Sequence, residues 1–229
     1  IWDVGSIQLI GEYHDRRDDL PTLSIRGCSL DAAGERVAVR LETDIRVLDC
    51  ATGAEIRRLE RTREISPTLS THVGAASVAF LPDGTLLAAY RDGSLVVWDL
   101  AEEHPRLVGG HEESLNGCAG ANGLVASGDE SGRVRVWDPA TGLAVFDQLL
   151  HRGPSRVCAL SDDGALVASG GTDRMVAVYD VASGDSVAAL PTAGWVTAIA
   201  FDDTHRMLLI GDDGGALYGA DLEGFSPDR

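Results

Sequence analysis

Six times along the chain an apolar run ends in a residue followed by Asp. The copies are Ile1-Trp2-Asp3, Val47-Leu48-Asp49, Val97-Trp98-Asp99, Val136-Trp137-Asp138, Val178-Tyr179-Asp180 and a degraded one at Ala220-Asp221. The Asp residues lie 46, 50, 39, 42 and 41 positions apart. A period of roughly 40 residues limits the chain to architectures in which like units stack on one another.

The order of signals inside each interval also repeats. A short apolar strand such as Val78-Ala79-Phe80 or Val157 to Leu160 comes first, then a turn with Asp83-Gly84, Asn122-Gly123 or Asp163-Gly164. Such turns supply the positive φ that a tight hairpin needs. A second strand (Leu86 to Ala88, Leu166 to Ser169), a second turn and a third strand ending on the repeated Asp follow. A third turn, such as Pro139 to Gly142, leads to a fourth strand such as Ser186 to Leu190. Turns interrupt every window long enough for a helical period, so the chain reads as all-β. A four-stranded antiparallel sheet cannot bury both faces alone. Stacking on neighbouring copies around an axis does so, which predicts a β-propeller.

These residues resemble the WD-repeat family over nearly the whole chain. Gly110-His111, Ser127, Trp137 and Asp138 look like one family blade; His151, Ser169, Asp173 and Tyr179-Asp180 look like another. The resemblance implies a buried tetrad of His, Ser or Thr, turn Asp and Trp in each blade. In the second of these blades Tyr179 is expected to replace Trp. The blade of His111 has Ser131 where the turn Asp belongs, so its tetrad is expected to be incomplete, and the blade of His151 is expected to be the better formed. Pro21 and Thr192 stand where the first and last blades would carry His, so packing is expected to hold those blades together. The expected domain is one propeller over 1–229. It divides into a tail at 1–11, blades at 12–59, 60–109, 110–149 and 150–190, and an incomplete blade at 191–229. Because Trp2-Asp3 already ends a third strand, the expectation is an open arc of a larger ring, seven-bladed by family resemblance, belonging to a longer chain. A closed five-bladed ring would instead pair Ile7 to Ile10 with Ala216 to Tyr218.

Charge narrows the partners. The chain has 36 acidic and 19 basic residues, a formal charge of −17. No basic stripe of the kind that displaces counterions is visible, which argues against nucleic acid and against anionic membrane surfaces. All the basic residues are Arg, a skew that fits a high-GC, bacterial genome. The four cysteines (28, 50, 118, 158) have neither metal-site nor redox-pair spacing. Cys28, Cys118 and Cys158 share one place in their first strands and are expected to be buried, free thiols. No metal or cofactor is expected, and the default compartment is the cytoplasm.

Candidate chemistry reduces to structure. His111 and His151 recur at equivalent positions, as structural residues do. Gly128 to Gly132 has its Ser fourth in the run, inside a hairpin turn, unlike a nucleophile elbow between strand and helix. Asp162-Asp163-Gly164 and Asp212-Asp213-Gly214 lack the alternating ligands and terminal Glu of an EF-hand loop. An enzyme with a site in the axial channel is disfavoured because no charged or His cluster recurs on the innermost strands. The resemblance implies a non-catalytic scaffold that presents rim loops to a protein or peptide partner. The alternative is a sensory or regulatory module fused to a kinase or nucleotide-hydrolysing domain. Two long connections, Glu12–Thr22 and Arg61–Val73, precede first strands and are expected on one rim. His14, Arg16, Arg17, Arg61 and Arg63 are their candidate partner-binding residues.

Overall fold

Short strands joined by tight turns fold locally into meanders. In the computed structural model every element among the described residues is a strand. The structure describes residues 25–42, 44–60, 74–102, 104–202 and 207–222, with the backbone of two further short strands at 2–3 and 8–9. Strand β1 (Trp2–Asp3) pairs with β2 (Gln8–Leu9). Four complete antiparallel meanders follow. Blade 1 is β3 (Gly27–Leu30), β4 (Arg36–Arg40), β5 (Ile45–Asp49) and β6 (Glu55–Leu59). Blade 2 is β7 (Ala75–Phe80), β8 (Leu86–Tyr90), β9 (Ser94–Trp98) and β10 (Arg106–Gly110). Blade 3 is β11 (Leu115–Ala121), β12 (Leu124–Asp129), β13 (Arg133–Asp138) and β14 (Leu143–Leu149). Blade 4 is β15 (Ser155–Leu160), β16 (Leu166–Gly171), β17 (Met175–Asp180) and β18 (Ser186–Pro191). Blade 5 has three described strands, β19 (Val196–Asp202), β20 (Met207–Asp212) and β21 (Leu217–Asp221).

The period-two alternation of strands sends successive side chains to opposite neighbours. In β8, Leu86, Ala88 and Tyr90 pack with Ile45 and Val47 of blade 1, while Leu87 and Ala89 pack with Leu115 and Val125 of blade 3. In β12, Val125 faces blade 2 and Ala126 faces Cys158, Leu160 and Val167 of blade 4. Val176 and Val178 meet Val196, Leu208 and Ile210 of blade 5. Fully burying each such Val or Leu contributes about 1.5–3 kcal/mol over leaving it exposed. Cohesion therefore resides mainly in the interfaces between blades, while Val37, Val39, Leu41, Leu48 and Cys50 form a cluster within blade 1. The first strands β3, β7, β11, β15 and β19 lie side by side in that order and form the innermost layer.

The recurring Asp has a local cause. The Asp49 carboxylate accepts from the Thr52 amide and hydroxyl, both at 2.7 Å. Asp138 accepts from the Ala140 amide (2.8 Å) and the Thr141 hydroxyl (2.9 Å), and Asp180 from the Ala182 and Ser183 amides. Each closes the turn into the fourth strand, and hydrogen bonding holds Asp49 and Asp138 below the usual carboxylate range. Much of the acidity is thus turn chemistry.

Among the described residues β21 pairs only with β20 and β2 only with β1, and no ladder between them closes a five-bladed ring.

Candidate functional site

The geometry that positions the inner strands begins with buried hydrogen-bond chains. In blade 3 the Trp137 indole donates to Ser127 Oγ at 2.9 Å, and His111 Nε2 lies 2.8 Å from the same oxygen. His111 Nδ1 meets Asp129 Oδ2 at 2.7 Å. With Nδ1–H donated to the carboxylate, Nε2 must accept, so the Ser127 hydroxyl donates to it. Burial pushes the His111 pKa below its ordinary value despite the Asp129 charge beside it. Burial alone would raise Asp129, but hydrogen bonds from Ser131, His111 and the Arg133 amide hold it down. Ser127, His111 and Asp129 have the connectivity of a hydrolase triad, yet Ser127 is completely buried and its oxygen already takes the indole proton. The chain locks the blade.

The expectation of an incomplete tetrad here is corrected. The missing acid is Asp129, the last residue of β12, two positions before Ser131, whose amide and hydroxyl both bond it. In blade 4, His151 Nδ1 lies 3.0 Å from Asp173 and Nε2 3.0 Å from Ser169. Tyr179 does not complete this chain. It packs edge-on against Phe146, with ring centroids 5.8 Å apart, and Ser155 Oγ takes the indole's place 2.8 Å from Ser169 Oγ. The outer blades, expected to depend on packing more than on a polar network, each still carry a polar link. In blade 5 the Tyr218 hydroxyl donates to Asp212 at 2.8 Å, and in blade 1 Arg58 pairs with buried Asp44 at 2.7 Å. The acid recurs while its partner changes, so a search keyed on His misses both. Blade 2 has Ala88 at the Ser position, and its buried Trp98 indole N–H has no partner.

These chains hold the first strands around an axial cavity of about 230 Å³. Arg26, Arg40 and Arg156 line it together with Cys28, Cys118 and Cys158, and among the described residues its lining includes no Asp or Glu. Of these arginines, Arg156 lies on first strand β15, Arg26 just before β3 and Arg40 at the end of second strand β4, so the charges gather at the cavity without recurring on the innermost strands. Arg26 and Arg156 each stand two residues before a lining Cys, a spacing visible in the sequence, and a bulge at Arg156 interrupts the β15 ladder. Arg40 donates to the carbonyls of Ala75 and Arg26, tying β3 to β7. Among the described residues no carboxylate pairs with Arg26, Arg91 or Arg156. Burial, then the charges of Arg91 and Arg26, lower the Arg40 pKa.

All four cysteines are free. Cys28 is exposed, contrary to expectation, and lines the cavity together with Gly27. Burial raises Cys118 to about 12 and Cys158 to about 11, so both stay protonated and are poor nucleophiles. Among the described residues no group of His, Cys, Asp or Glu is arranged to hold a metal, and no helix is long and apolar enough to cross a membrane. His14, Arg16, Arg17, Arg61 and Arg63 lie outside the described residues.

The WD domain, G-beta repeat, matches at residues 63–99, 104–138 and 147–180, each copy ending within one blade on its repeated Asp. Together with the stacked four-stranded meanders this defines the fold as a WD-repeat β-propeller. Telomerase protein component 1 of Mus musculus is 23% identical over 212 residues, covering 85% of this chain and 8% of its own length. Apoptotic protease-activating factor 1 of Rattus norvegicus is 24% identical over 218 residues, covering 94% of this chain and 17% of its own. The chain thus spans less than a fifth of either relative. A chain in the crystal structure of a mitotic checkpoint complex superposes with a TM-score of 0.75 at 19% identity, over 88% of this chain and 63% of that one.

Proposed function

We propose that this chain is a non-catalytic scaffold that presents one rim and its axial cavity to a protein or peptide partner. The carrying observation is rigidity around an opening. Polar chains and interblade cores fix the inner strands, yet the cavity between them keeps uncompensated charge. Preorganised surfaces of this kind avoid the ordering cost that weakens association. The free thiols support a reducing, cytoplasmic location, and the all-Arg basic complement supports a bacterial source. The small share of each relative that the chain covers favours a second reading, a regulatory module serving a domain elsewhere in a longer protein.

Affinity capture with the full-length protein, followed by cross-linking mass spectrometry, tests this. Cross-links should concentrate on the turns around 91–93, 112–114 and 152–154, which border the starts of the first strands. Cross-links confined to the outer fourth strands, or substrate turnover by the propeller alone, would refute the scaffold reading. Deleting the propeller and recording altered activity of the remaining protein would favour the regulatory reading.

A further inference from the structure

The chain is strongly acidic, yet among the described residues its axial cavity is lined by three arginines and no carboxylate. Arg26 and Arg156 come from blades 1 and 4 and line the same opening, and Arg91 of blade 2 lies near enough to act on Arg40. Like charges gathered without counter-ions repel, and they persist at low cost only when solvent or a ligand anion answers them. Arg40 is spent on backbone carbonyls and shapes the wall. Arg26 and Arg156 are exposed, with no acidic partner among the described residues, and their planar forks suit bidentate capture of a carboxylate or phosphate.

Size decides what kind of anion fits. The cavity is smaller than the roughly 300–1,000 Å³ of pockets that enclose whole small-molecule ligands. It matches one or two side chains entering from the rim. A nucleic acid backbone would need a basic stripe along many phosphates, and a body of charge −17 repels such a polyanion. A short acidic peptide places its charge in the cavity alone.

We propose that the axial cavity is a receptor for an acidic side chain, carboxylate or phosphate, on a partner's peptide segment, with Arg26 and Arg156 as the capturing cations. This rests on the scaffold reading and names the chemistry of its partner. Exposed Cys28 on the cavity wall provides a built-in reporter of occupancy.

The test uses fluorescence anisotropy with the full-length protein and three labelled peptides: Glu-rich, the same with phosphoserine, and a Gln-substituted neutral analogue. The acidic peptides should bind, and the neutral analogue should bind at least tenfold more weakly. The double variant Arg26→Ala/Arg156→Ala should weaken acidic-peptide binding at least tenfold with an unchanged melting temperature, while Arg152→Ala, outside the cavity lining, should not. Bound acidic peptide should slow alkylation of Cys28. A gain for phosphoserine over Glu would assign phosphate as the ligand group, and equal binding would assign carboxylate. Equal binding of the neutral peptide, an unaffected double variant, or inorganic phosphate binding as tightly as the peptides would overturn the proposal. Capture of a partner by the double variant as efficiently as by the parent would leave the scaffold standing and the cavity rejected.

Discussion

In blade 3 the hydrogen-bond chain runs from Trp137 through Ser127 and His111 to Asp129, whereas in blade 4 it runs from Ser155 through Ser169 and His151 to Asp173. The acid enters from different places. Asp129 ends strand β12, and its equivalent in blade 4 is Gly171, the last residue of β16. A Cβ on Gly171 would sit 2.6 Å from His151 Nδ1 and 2.8 Å from Asp173 Oδ1. The space is filled once, either from the strand or from the turn. The Asp129 side chain is 3% exposed and that of Asp173 is 16% exposed, so blade 3 carries the more deeply buried link. Equivalent positions in a repeat thus conserve a volume and a charge, and the residue supplying them can move.

The largest effect should come from the buried acid. Asp129→Ala strips partners from His111, Ser131 and the Arg133 amide and should cost about 3–5 kcal/mol. Asp173→Ala, nearer solvent, should cost about 1–3 kcal/mol. Urea unfolding of both variants checks the order, and equal losses would erase the distinction between blades.

Gly171→Ala should cost about 1–3 kcal/mol because the methyl overlaps His151 and Asp173. The exchange Gly171→Asp with Asp173→Ser transplants the blade 3 arrangement and should recover most of that loss. Failure to recover would mean that the two sites are not interchangeable.

The third prediction uses pH. The folded His111 pKa lies below the ordinary imidazole value of 6.5, so the unfolded chain takes up a proton first as pH falls. Its contribution is intact above about 6.5 and declines on acidification, at up to about 1.4 kcal/mol per pH unit. Asp129, also depressed, contributes above the ordinary carboxylate value of 3.8 and loses that contribution as pH falls through its folded pKa. Melting temperature between pH 7.5 and 5 should therefore drop more steeply for the parent than for His111→Gln.

Blade 2 extends the comparison. Ala88→Ser places a hydroxyl where Ser127 stands in blade 3 and gives the orphaned Trp98 indole an acceptor, a gain of about 1 kcal/mol. An unchanged melting temperature would mean that the indole is already satisfied.

The smallest effect concerns the second turn. Gly132 has φ +89°, and a Cβ there would lie 2.5 Å from the His151 carbonyl; its blade 4 equivalent, Arg174, has φ +62°. Arg174→Gly should relieve this left-handed strain and stabilise blade 4 by about 0.5–1 kcal/mol.

Periodicity alone determined the meanders, the turns and the blade order, because hairpins and turn chemistry are local and recur in phase with the repeated Asp. It also marked His111, Ser127, Trp137, His151, Ser169 and Asp173, which sit near fixed offsets from that Asp. Only the tertiary structure decided that Asp129 closes the blade 3 chain, that Ser155 displaces Tyr179, and that Tyr218 and Arg58 serve acids in blades lacking the His. Those choices depend on which side chain reaches a shared volume once strands from different parts of the repeat are packed. The axial cavity belongs to the same class. Arg26 and Arg156 are 130 residues apart in the chain, and only the stacking of successive first strands brings their charges around one opening.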